Sequence, residues 1–216
     1  NIDKVTYASN SKNITNNIKN YKFYKQDINN QNFIKKILNQ YNPSLIFNLA
    51  AETHVDRSID GPKQFINSNI YGVFNLLEAI RKFKKKIKLI HVSTDEVYGD
   101  LERADDFFTE TTAYAPSSPY SASKAAVHML SRDLAGDLAD RNINVNAVLP
   151  GFFPTSMTAH MRDDEVVDSA LLDKIPMHRM GRADEIAGTI VFLSSRAGAY
   201  ITGAEIPVDG GIVGCS

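Results

Sequence analysis

Tyr120 and Lys124 are the residues whose types and spacing most clearly suggest chemistry. They are four positions apart, and on a helix this spacing stacks two side chains on one face. An ammonium beside a phenol favours the phenolate. The pair therefore predicts a tyrosine whose pKa is lowered toward the working range of a general acid or base. The alternative is a pair on a solvated helix surface, which is common by chance.

The surrounding sequence predicts elements that would position this pair. Ser118 suits the N-cap and Pro119 the first turn of a helix, and Asn142 suits its exit. Thr94 comes just after an apolar run that is typical of a buried strand. Because parallel sheets bind ligands at the carboxyl ends of their strands, Thr94 could hydrogen-bond the same substrate oxygen as Tyr120.

Apolar runs alternate with helical patterns along the chain. The runs at 45–50, 88–92, 143–148 and 204–208 predict short buried strands. Helical spacing predicts helices over 63–84, 119–141 and 183–195. Strands separated by helices indicate an α/β fold with a doubly wound parallel sheet, Rossmann-like, in a single domain over residues 1–216.

The bulk composition argues against several function classes. The formal net charge is −1, so the sequence favours neither nucleic acid nor an anionic membrane as partner. The basic run 81–88 ends an apolar-periodic segment, which favours a solvated helix terminus. No stretch suggests a membrane span or a signal peptide, and the single cysteine fits the cytoplasm. The five histidines lack zinc-ligand spacing, so we expect no metal.

The choice of basic residue changes in the middle of the chain. Residues 1–90 hold fifteen asparagines, thirteen lysines and two arginines. Residues 127–216 hold three asparagines, one lysine and six arginines. No Pro/Gly/Ser-rich linker accompanies the change. We interpret it as a splice inside one domain, between a first half at 1–126 and a second half at 127–216.

The chemical residues resemble those of short-chain dehydrogenase/reductases. Thr94, Tyr120 and Lys124 resemble the family's catalytic trio, and the resemblance implies that Asn69 supports the lysine through water. The loop Asn48-Leu-Ala-Ala51 resembles the segment that packs against the adenosine side of the cofactor. The cofactor residues that the resemblance implies are Asp3, Lys4, Thr6, Asp27, Ile28, Leu49, Ala50, Ala51, Ser68, Tyr120, Lys124, Pro150, Gly151 and Thr155.

The first half resembles the dTDP-glucose 4,6-dehydratase family more narrowly. The matching segments are 1–8, 27–28, 49–58, 91–101 and 108–124. This resemblance implies that Asp95 is the acid for the departing 6-hydroxyl and Glu96 the base that removes the C5 proton, with Thr53 and Thr94 at the substrate. Adjacent carboxyls suit opposite duties when their environments split their pKa values. The alternative for Asp95 and Glu96 is a solvated turn.

The second half resembles classical short-chain reductases instead. The matching segments are 143–151, 155–158, 175–182, 185–186, 192–195 and 200–211. The resemblance implies that Pro150, Gly151 and Thr155 approach the nicotinamide carboxamide and that the stretch to about Pro176 forms a substrate lid. The large sugar-nucleotide region of the dehydratases has no counterpart here, so we expect their defining activity to be absent.

Both families open with a strand and a glycine-rich turn that holds the cofactor pyrophosphate. This sequence begins at the second strand, so we expect that first strand and helix to be missing and NAD binding to be weak. The acid Asp3 would bind the adenosine ribose, which favours NAD over NADP although Lys4 follows it.

Three functions remain open from the sequence. The first is an NAD(P)-dependent oxidoreductase acting on a carbinol or carbonyl carbon of a small molecule. The second is a dTDP-glucose 4,6-dehydratase-type lyase, and the third is an inactive chimeric or truncated product that serves as a binding or assembly unit. The helices at 63–84 and 119–141 resemble a family interface and carry more apolar residues than one sheet face covers, so we expect a homodimer or homotetramer.

Overall fold

The structure is a computed structural model that describes residues 1–7, 9, 18–99, 112–155, 158 and 165–215. Its strands are β1 (Ile2–Asp3), β2 (Tyr24–Lys25), β3 (Leu45–Asn48), β4 (Lys88–Val92), β5 (Asn144–Pro150) and β6 (Glu205–Val208). Its α-helices are α1 (Gln31–Tyr41), α2 (Val55–Asp60), α3 (Pro62–Phe65), α4 (Gly72–Lys82), α5 (Pro119–Ala139), α6 (Glu165–Asp173) and α7 (Ala183–Ser194). A π-helix spans Ile66–Tyr71, and two 3₁₀ turns span Asp95–Tyr98 and Ala197–Tyr200.

Four of the strands form one parallel sheet in the order β3-β4-β5-β6. The two shorter strands β1 and β2 pair in parallel as a separate sheet. Parallel neighbours require long crossovers, and helices supply them between β3 and β4, β4 and β5, and β5 and β6. The prediction of a Rossmann-like α/β fold with a parallel sheet is confirmed.

Helices cover both faces of this sheet. Leu89 packs in a core with the buried face of α4 and α5, represented by Leu77 and Leu138. The next residue along β4, Ile90, packs on the other face with Leu193 of α7. Successive side chains of a strand point to opposite faces, so a short continuous apolar run serves both cores.

The hydrophobic cores contain residues from both halves of the chain, 1–126 and 127–216. The cluster around Leu77 includes Val127, Leu138 and Val145 from the second half. A second cluster joins Val97 of the first half to Leu149. Helix α5 itself runs across the junction at 126, so the change in composition coincides with no break in packing.

The predicted start and exit of α5 are confirmed. Ser118 Oγ accepts a hydrogen bond from the Ser121 amide, and Ser121 Oγ accepts one from the Ser118 amide, both at 3.1 Å. This reciprocal pair satisfies two amides that the helix itself leaves unpaired. Pro119 occupies the first turn, and Asn142 leaves the helix with a positive φ of 54°. Asparagine adopts this left-handed conformation more readily than most residues.

The predicted helix over 63–84 is confirmed as an unbroken helical segment over 62–82, and it contains a π-helical turn that the sequence did not predict. The structure divides this segment into α3, the π-helix and α4, and the Gly72 amide donates to the Asn67 carbonyl five residues back. The widened turn carries Ser68 and Asn69 into buried positions. Apolar periodicity does not reveal a single widened turn, because the flanking helical spacing is preserved.

No helix within the described ranges is long and apolar enough to cross a membrane. Among those same residues, no three His, Cys, Asp or Glu side chains are grouped as a metal site would need.

Candidate active site

The ends of β4, β5 and β6 meet the start of α5 in a polar region that we call the Tyr120 side. It comprises residues 94–96, 120–124, 150–151 and 209. Thr94 is buried just beyond β4, near the Tyr120 phenol, and its hydroxyl donates to Asp95 Oδ1 at 3.4 Å. Its Oγ1 also accepts the Glu96 amide at 3.3 Å, which caps the 3₁₀ turn. Thr94 and Tyr120 therefore lie near one another at this edge of the sheet.

The pKa of Tyr120 shifts in the direction opposite to the sequence prediction. Burial of the phenol raises the pKa of Tyr120, the negative charge of Glu96 adds to the rise, and the nearby Thr94 hydroxyl opposes it. Lys124 Nζ lies 6.0 Å from the ring centroid and donates to the Val92 carbonyl at 3.2 Å. The prediction of a lowered pKa is therefore wrong, because desolvation of the phenol outweighs a cation that is directed at the backbone.

Lys124 is itself fully buried beneath this region. Burial lowers the pKa of its ammonium to about 8, and the charge of Glu96 partly opposes that shift. An ammonium in an apolar environment loses its proton more readily than one in water. The lysine charge can therefore change close to neutral pH.

Asp95 and Glu96 occupy different environments although they are adjacent. Burial raises the pKa of the Asp95 carboxyl to about 7, with further contributions from the charges of Glu96 and Asp209. Glu96 is exposed. The solvated-turn alternative therefore fits Glu96 and does not fit Asp95. When one carboxyl keeps its proton more readily than its neighbour, the first can act as an acid and the second as a base at the same pH.

Asp209 is a site residue that the sequence analysis did not identify. It follows β6, and its carboxylate accepts the Gly211 amide at 2.9 Å and the Val213 amide at 2.8 Å. A Cβ on Gly151 would lie 2.7 Å from Asp209 Cβ and 3.3 Å from Asp95 Oδ2, so only glycine fits there. The one signal for Asp209 in the sequence was its position as an acid just beyond the last predicted strand.

The loops after β1 and β3 and the π-helix meet in a second polar region, the Asp3 side. It comprises residues 3–7, 49–54 and 68–69. Asp3 Oδ1 accepts the Val5 amide at 2.6 Å and the Ser9 hydroxyl at 2.9 Å. Val5 has a φ of 61°, which is rare for a β-branched residue. Backbone strain of this kind concentrates at binding sites, so the loop is a candidate ligand contact.

Lys4 connects this loop to the elements beside it. Its Nζ donates to Ser68 Oγ at 2.8 Å and lies 3.4 Å from Glu52 Oε1. Glu52 is only 5% exposed. The sequence analysis did not select Glu52, since an acid in a loop gives no sign of its burial.

Asn69 joins the two sides. Its side chain accepts the Glu52 amide at 2.8 Å and donates to the Glu52 carbonyl at 3.0 Å. It also donates to Ser123 Oγ at 2.9 Å, and that hydroxyl donates to the Tyr120 carbonyl at 2.7 Å. The π-helix thus fixes the loop after β3 against the first turn of α5.

The remaining predicted site residues lie at or near the ends of strands. They are Thr6, Asp27, Ile28, Leu49, Ala50, Ala51, Thr53, Pro150 and Thr155. Asp27 accepts the Asn29 amide at 2.8 Å, and Thr53 Oγ1 lies 3.4 Å from His54 Nδ1. Leu49 is 68% exposed at an otherwise polar edge.

Part of the predicted substrate lid lies outside the described residues, at 156–157 and 159–164. Within the described part, the Thr155 amide donates to Thr158 Oγ1 at 2.9 Å, and Thr155 is exposed. Residues 8, 100–101 and 108–111 of the segments that resemble the dehydratases also lie outside.

The first two thirds of the chain match known dehydratases. The family model described as GDP-mannose 4,6 dehydratase matches residues 1–139. A dTDP-glucose 4,6-dehydratase from Neisseria gonorrhoeae is 48% identical over 142 residues, which are 61% of this chain and 41% of that protein. An enzyme of the same description from Escherichia coli K12 is 45% identical over 150 residues, with 61% and 42% covered. The chain therefore spans about two fifths of the length of these curated relatives.

Solved structures that resemble the fold cover more of this chain. The Pseudomonas aeruginosa RhlG/NADP active-site complex superposes with a TM-score of 0.71 at 26% identity, covering 88% of this chain and 76% of that one. A proposed short-chain alcohol dehydrogenase from Sinorhizobium meliloti 1021 gives a TM-score of 0.71 at 29% identity, covering 88% and 75%. The similarity to dehydratases in sequence and to short-chain reductases in structure matches the resemblance of the two halves.

Proposed function

This chain belongs to the GDP-mannose 4,6 dehydratase family, and we propose that it is a nicotinamide-dependent oxidoreductase acting on a carbinol or carbonyl carbon. The observation that carries the proposal is the position of the buried Tyr120 phenol near the Thr94 hydroxyl and the buried Lys124, at the carboxyl end of a parallel sheet. Ligands of open α/β sheets bind at that end.

The residues of the Asp3 side suit the adenosine part of a nicotinamide dinucleotide. Asp3 offers a carboxylate at the end of β1, and Leu49 offers exposed apolar surface just beyond β3. A carboxylate in this place can accept a ribose hydroxyl, and it repels a 2′-phosphate. RhlG, one of the similar structures, is described with NADP. For this chain we propose NAD as the preferred cofactor.

Tyr120 acts as the general acid in the reduction direction. Its raised pKa keeps the phenol protonated near neutral pH, so the hydroxyl proton is available to a carbonyl oxygen while the carbonyl carbon accepts a hydride. A nicotinamide bound at this edge of the sheet would supply that hydride. Thr94 hydrogen-bonds the same oxygen, and protonated Lys124 stabilises the phenolate that remains.

A dTDP-glucose 4,6-dehydratase reaction is the second candidate. The raised pKa of Asp95 supports it, because a carboxyl with a pKa of about 7 carries a proton that it can deliver to a departing hydroxyl. Exposed Glu96 would remove the C5 proton. The hydride taken from the sugar would return to the product, with no net redox change.

Two substitutions separate the candidates. Tyr120→Phe should lower NADH-dependent reduction of a ketone panel by about 10²–10⁴-fold, because the oxygen loses its proton donor. Tyr200→Phe is the control, since its ring is fully exposed, and it should react at the rate of the parent protein. Asp95→Asn combined with Glu96→Gln should leave reduction largely intact, because one-step hydride transfer uses neither carboxyl.

The same proteins should be assayed for a 4-keto-6-deoxy product from dTDP-glucose. We expect none. Formation of this product by the parent protein, with its loss in the Asp95 and Glu96 double variant, would favour the second candidate. A cooperatively folded protein that is silent in both assays would overturn both and favour a binding or assembly unit.

Exposed apolar side chains on neighbouring helices support a homo-oligomer. Phe74 of α4 and Met129 of α5 are 43% and 66% exposed. Charged substitution of an apolar interface disfavours association. We therefore expect the parent protein to be a dimer or tetramer by light scattering and Phe74→Asp to be a monomer. The control is Val191→Asp at an exposed position of α7, which should leave the molecular mass of the assembly unchanged. A parent protein that is a monomer would contradict the proposal.

A further inference from the structure

The cation beside Asp3 is already engaged within the protein. Lys4 Nζ is bound by Ser68 Oγ at 2.8 Å and lies 3.4 Å from the Glu52 carboxylate. The Lys4 side chain is 36% exposed, whereas the Glu52 side chain is 6% exposed. The buried Glu52 side chain therefore holds the more accessible Lys4 side chain in place.

Several contacts keep Glu52 where it is. Asn69 binds both its amide and its carbonyl, at 2.8 and 3.0 Å. Burial and the nearby charge of the Glu52 carboxylate raise the pKa of Tyr7, and the Arg57 guanidinium stacks 3.8 Å from the centre of the Tyr7 ring. Asn69 therefore fixes the backbone of Glu52, and the burial of its side chain limits how far the carboxylate can move away from Lys4.

NAD and NADP differ at one position of the adenosine ribose, where NAD carries a hydroxyl and NADP a phosphate. A phosphate of about two negative charges needs a cation with free hydrogen-bonding capacity. The cation nearest to Asp3 in sequence is Lys4. Its charge is already balanced by the Glu52 carboxylate. A phosphate placed there would face two carboxylates and one neutralised ammonium, whereas a hydroxyl would not be repelled.

We propose that Glu52 determines the cofactor specificity of this protein, by holding Lys4 and so rejecting the 2′-phosphate of NADP. The inference rests on the proposed function, because it assumes that a nicotinamide dinucleotide binds on the Asp3 side. It assigns the choice of cofactor to a residue that need not touch the cofactor. Glu52 is thus a specificity-determining residue that acts through Lys4.

The test measures dissociation constants of NAD and NADP by calorimetry. In Glu52→Gln the amide keeps the size of the side chain but removes its charge, so Lys4 becomes free for a phosphate. We expect the affinity for NADP relative to NAD to rise by about tenfold or more, the usual value of a charge-assisted contact. Glu78→Gln removes a partly buried carboxylate that pairs with Arg81 and Lys82, remote from the Asp3 side, and it should leave the ratio unchanged.

A double variant tests whether Lys4 is the group that binds the phosphate. If Lys4 captures the phosphate in Glu52→Gln, then adding Lys4→Gln should abolish the gain. An unchanged ratio in a folded Glu52→Gln protein, or a gain that survives removal of Lys4, would overturn the inference. If Glu52→Gln does not fold, Glu52→Met carries the same expectation without burying an unpaired amide.

The parent protein separates failure of this inference from failure of the proposed function. Binding of neither dinucleotide would overturn the proposed function and the inference together. A parent protein that binds NADP at least as tightly as NAD would overturn the inference alone, because nicotinamide binding would stand while the specificity assigned to Glu52 would not.

Discussion

The acids at the carboxyl edge of the sheet have different neighbours on the Asp3 side and on the Tyr120 side. On the Asp3 side, Asp3 accepts hydrogen bonds from an amide and a hydroxyl, and Glu52 lies beside Lys4. On the Tyr120 side, Asp95 is partly buried near the carboxyls of Glu96 and Asp209, and its pKa is raised to about 7. Cations and amides stabilise a carboxylate, whereas burial near other carboxylates favours the protonated acid.

The difference separates two tasks along one edge. A fixed array of hydrogen-bond donors and acceptors suits a group that is held and does not react. A carboxyl with a pKa of about 7, a lysine with a pKa of about 8 and a phenol with a raised pKa suit proton transfer. Asn69 connects the two sides through Glu52 and Ser123.

Removal of this connection should have the largest effect on stability. Asn69→Ala leaves the buried amide and carbonyl of Glu52 without a partner and removes one of the two hydrogen bonds of the Ser123 hydroxyl. Unpaired buried groups destabilise by about 1–3 kcal/mol each, so we expect the free energy of unfolding in urea to fall by about 2–3 kcal/mol. Asn75→Ala, which loses one bond to the Asn29 side chain, is the control and should lose about 0.5 kcal/mol. Equal losses in the two variants would show that Asn69 does not connect the sides.

The pH dependence of stability tests the Tyr120 side. The pKa of Asp95 is raised in the folded protein, so between about pH 4 and pH 7 the folded state retains a proton that the unfolded state has lost. This group therefore makes stability fall as pH rises through that window. Asp95→Asn removes the effect, so its stability relative to the parent protein should be higher at pH 8 than at pH 5 by about 1 kcal/mol or more.

The control for this measurement is Asp133→Asn at an exposed position of α5. Its difference from the parent protein should be nearly the same at both pH values. A flat difference for Asp95→Asn as well would mean that the Asp95 carboxyl is solvated in the folded protein. The difference between the acids of the Tyr120 side and those of the Asp3 side would then not exist.

The smallest expected effect concerns the helix that carries Tyr120. Ser118→Ala removes the side chain that caps α5, and loss of an N-cap lowers stability by about 1 kcal/mol. Ser117→Ala, at the exposed neighbouring position, should change the free energy of unfolding by less than about 0.5 kcal/mol. If Ser118→Ala were as stable as Ser117→Ala, the entry to α5 would be fixed by packing alone.

Much of the local structure could be predicted from the sequence, because it depends on neighbours in the chain. The capping serine and Pro119 set the start of α5, and Asn142 suits the left-handed exit. Short apolar runs gave the positions of the four strands of the main sheet to within two residues. The common carboxyl edge of parallel strands then predicted that Thr94 would lie near Tyr120.

The protonation behaviour of the site depended on groups that are distant in sequence. Spacing alone placed Lys124 beside Tyr120 and predicted a lowered phenol pKa. The fold buries the phenol and directs the ammonium to the Val92 carbonyl, so the pKa rises instead. Asp209 approaches Asp95 only because β6 and β4 end at the same edge.

The sequence by itself therefore determined which elements form and which residues lie at their ends. Only the tertiary structure decided what those residues do to one another. The pairing of Lys4 with Glu52 and the widened turn that brings Asn69 between Glu52 and Ser123 join segments far apart in the chain. The physical reason is that caps and periodicity are local, whereas desolvation and charge interactions depend on every group that the fold brings close.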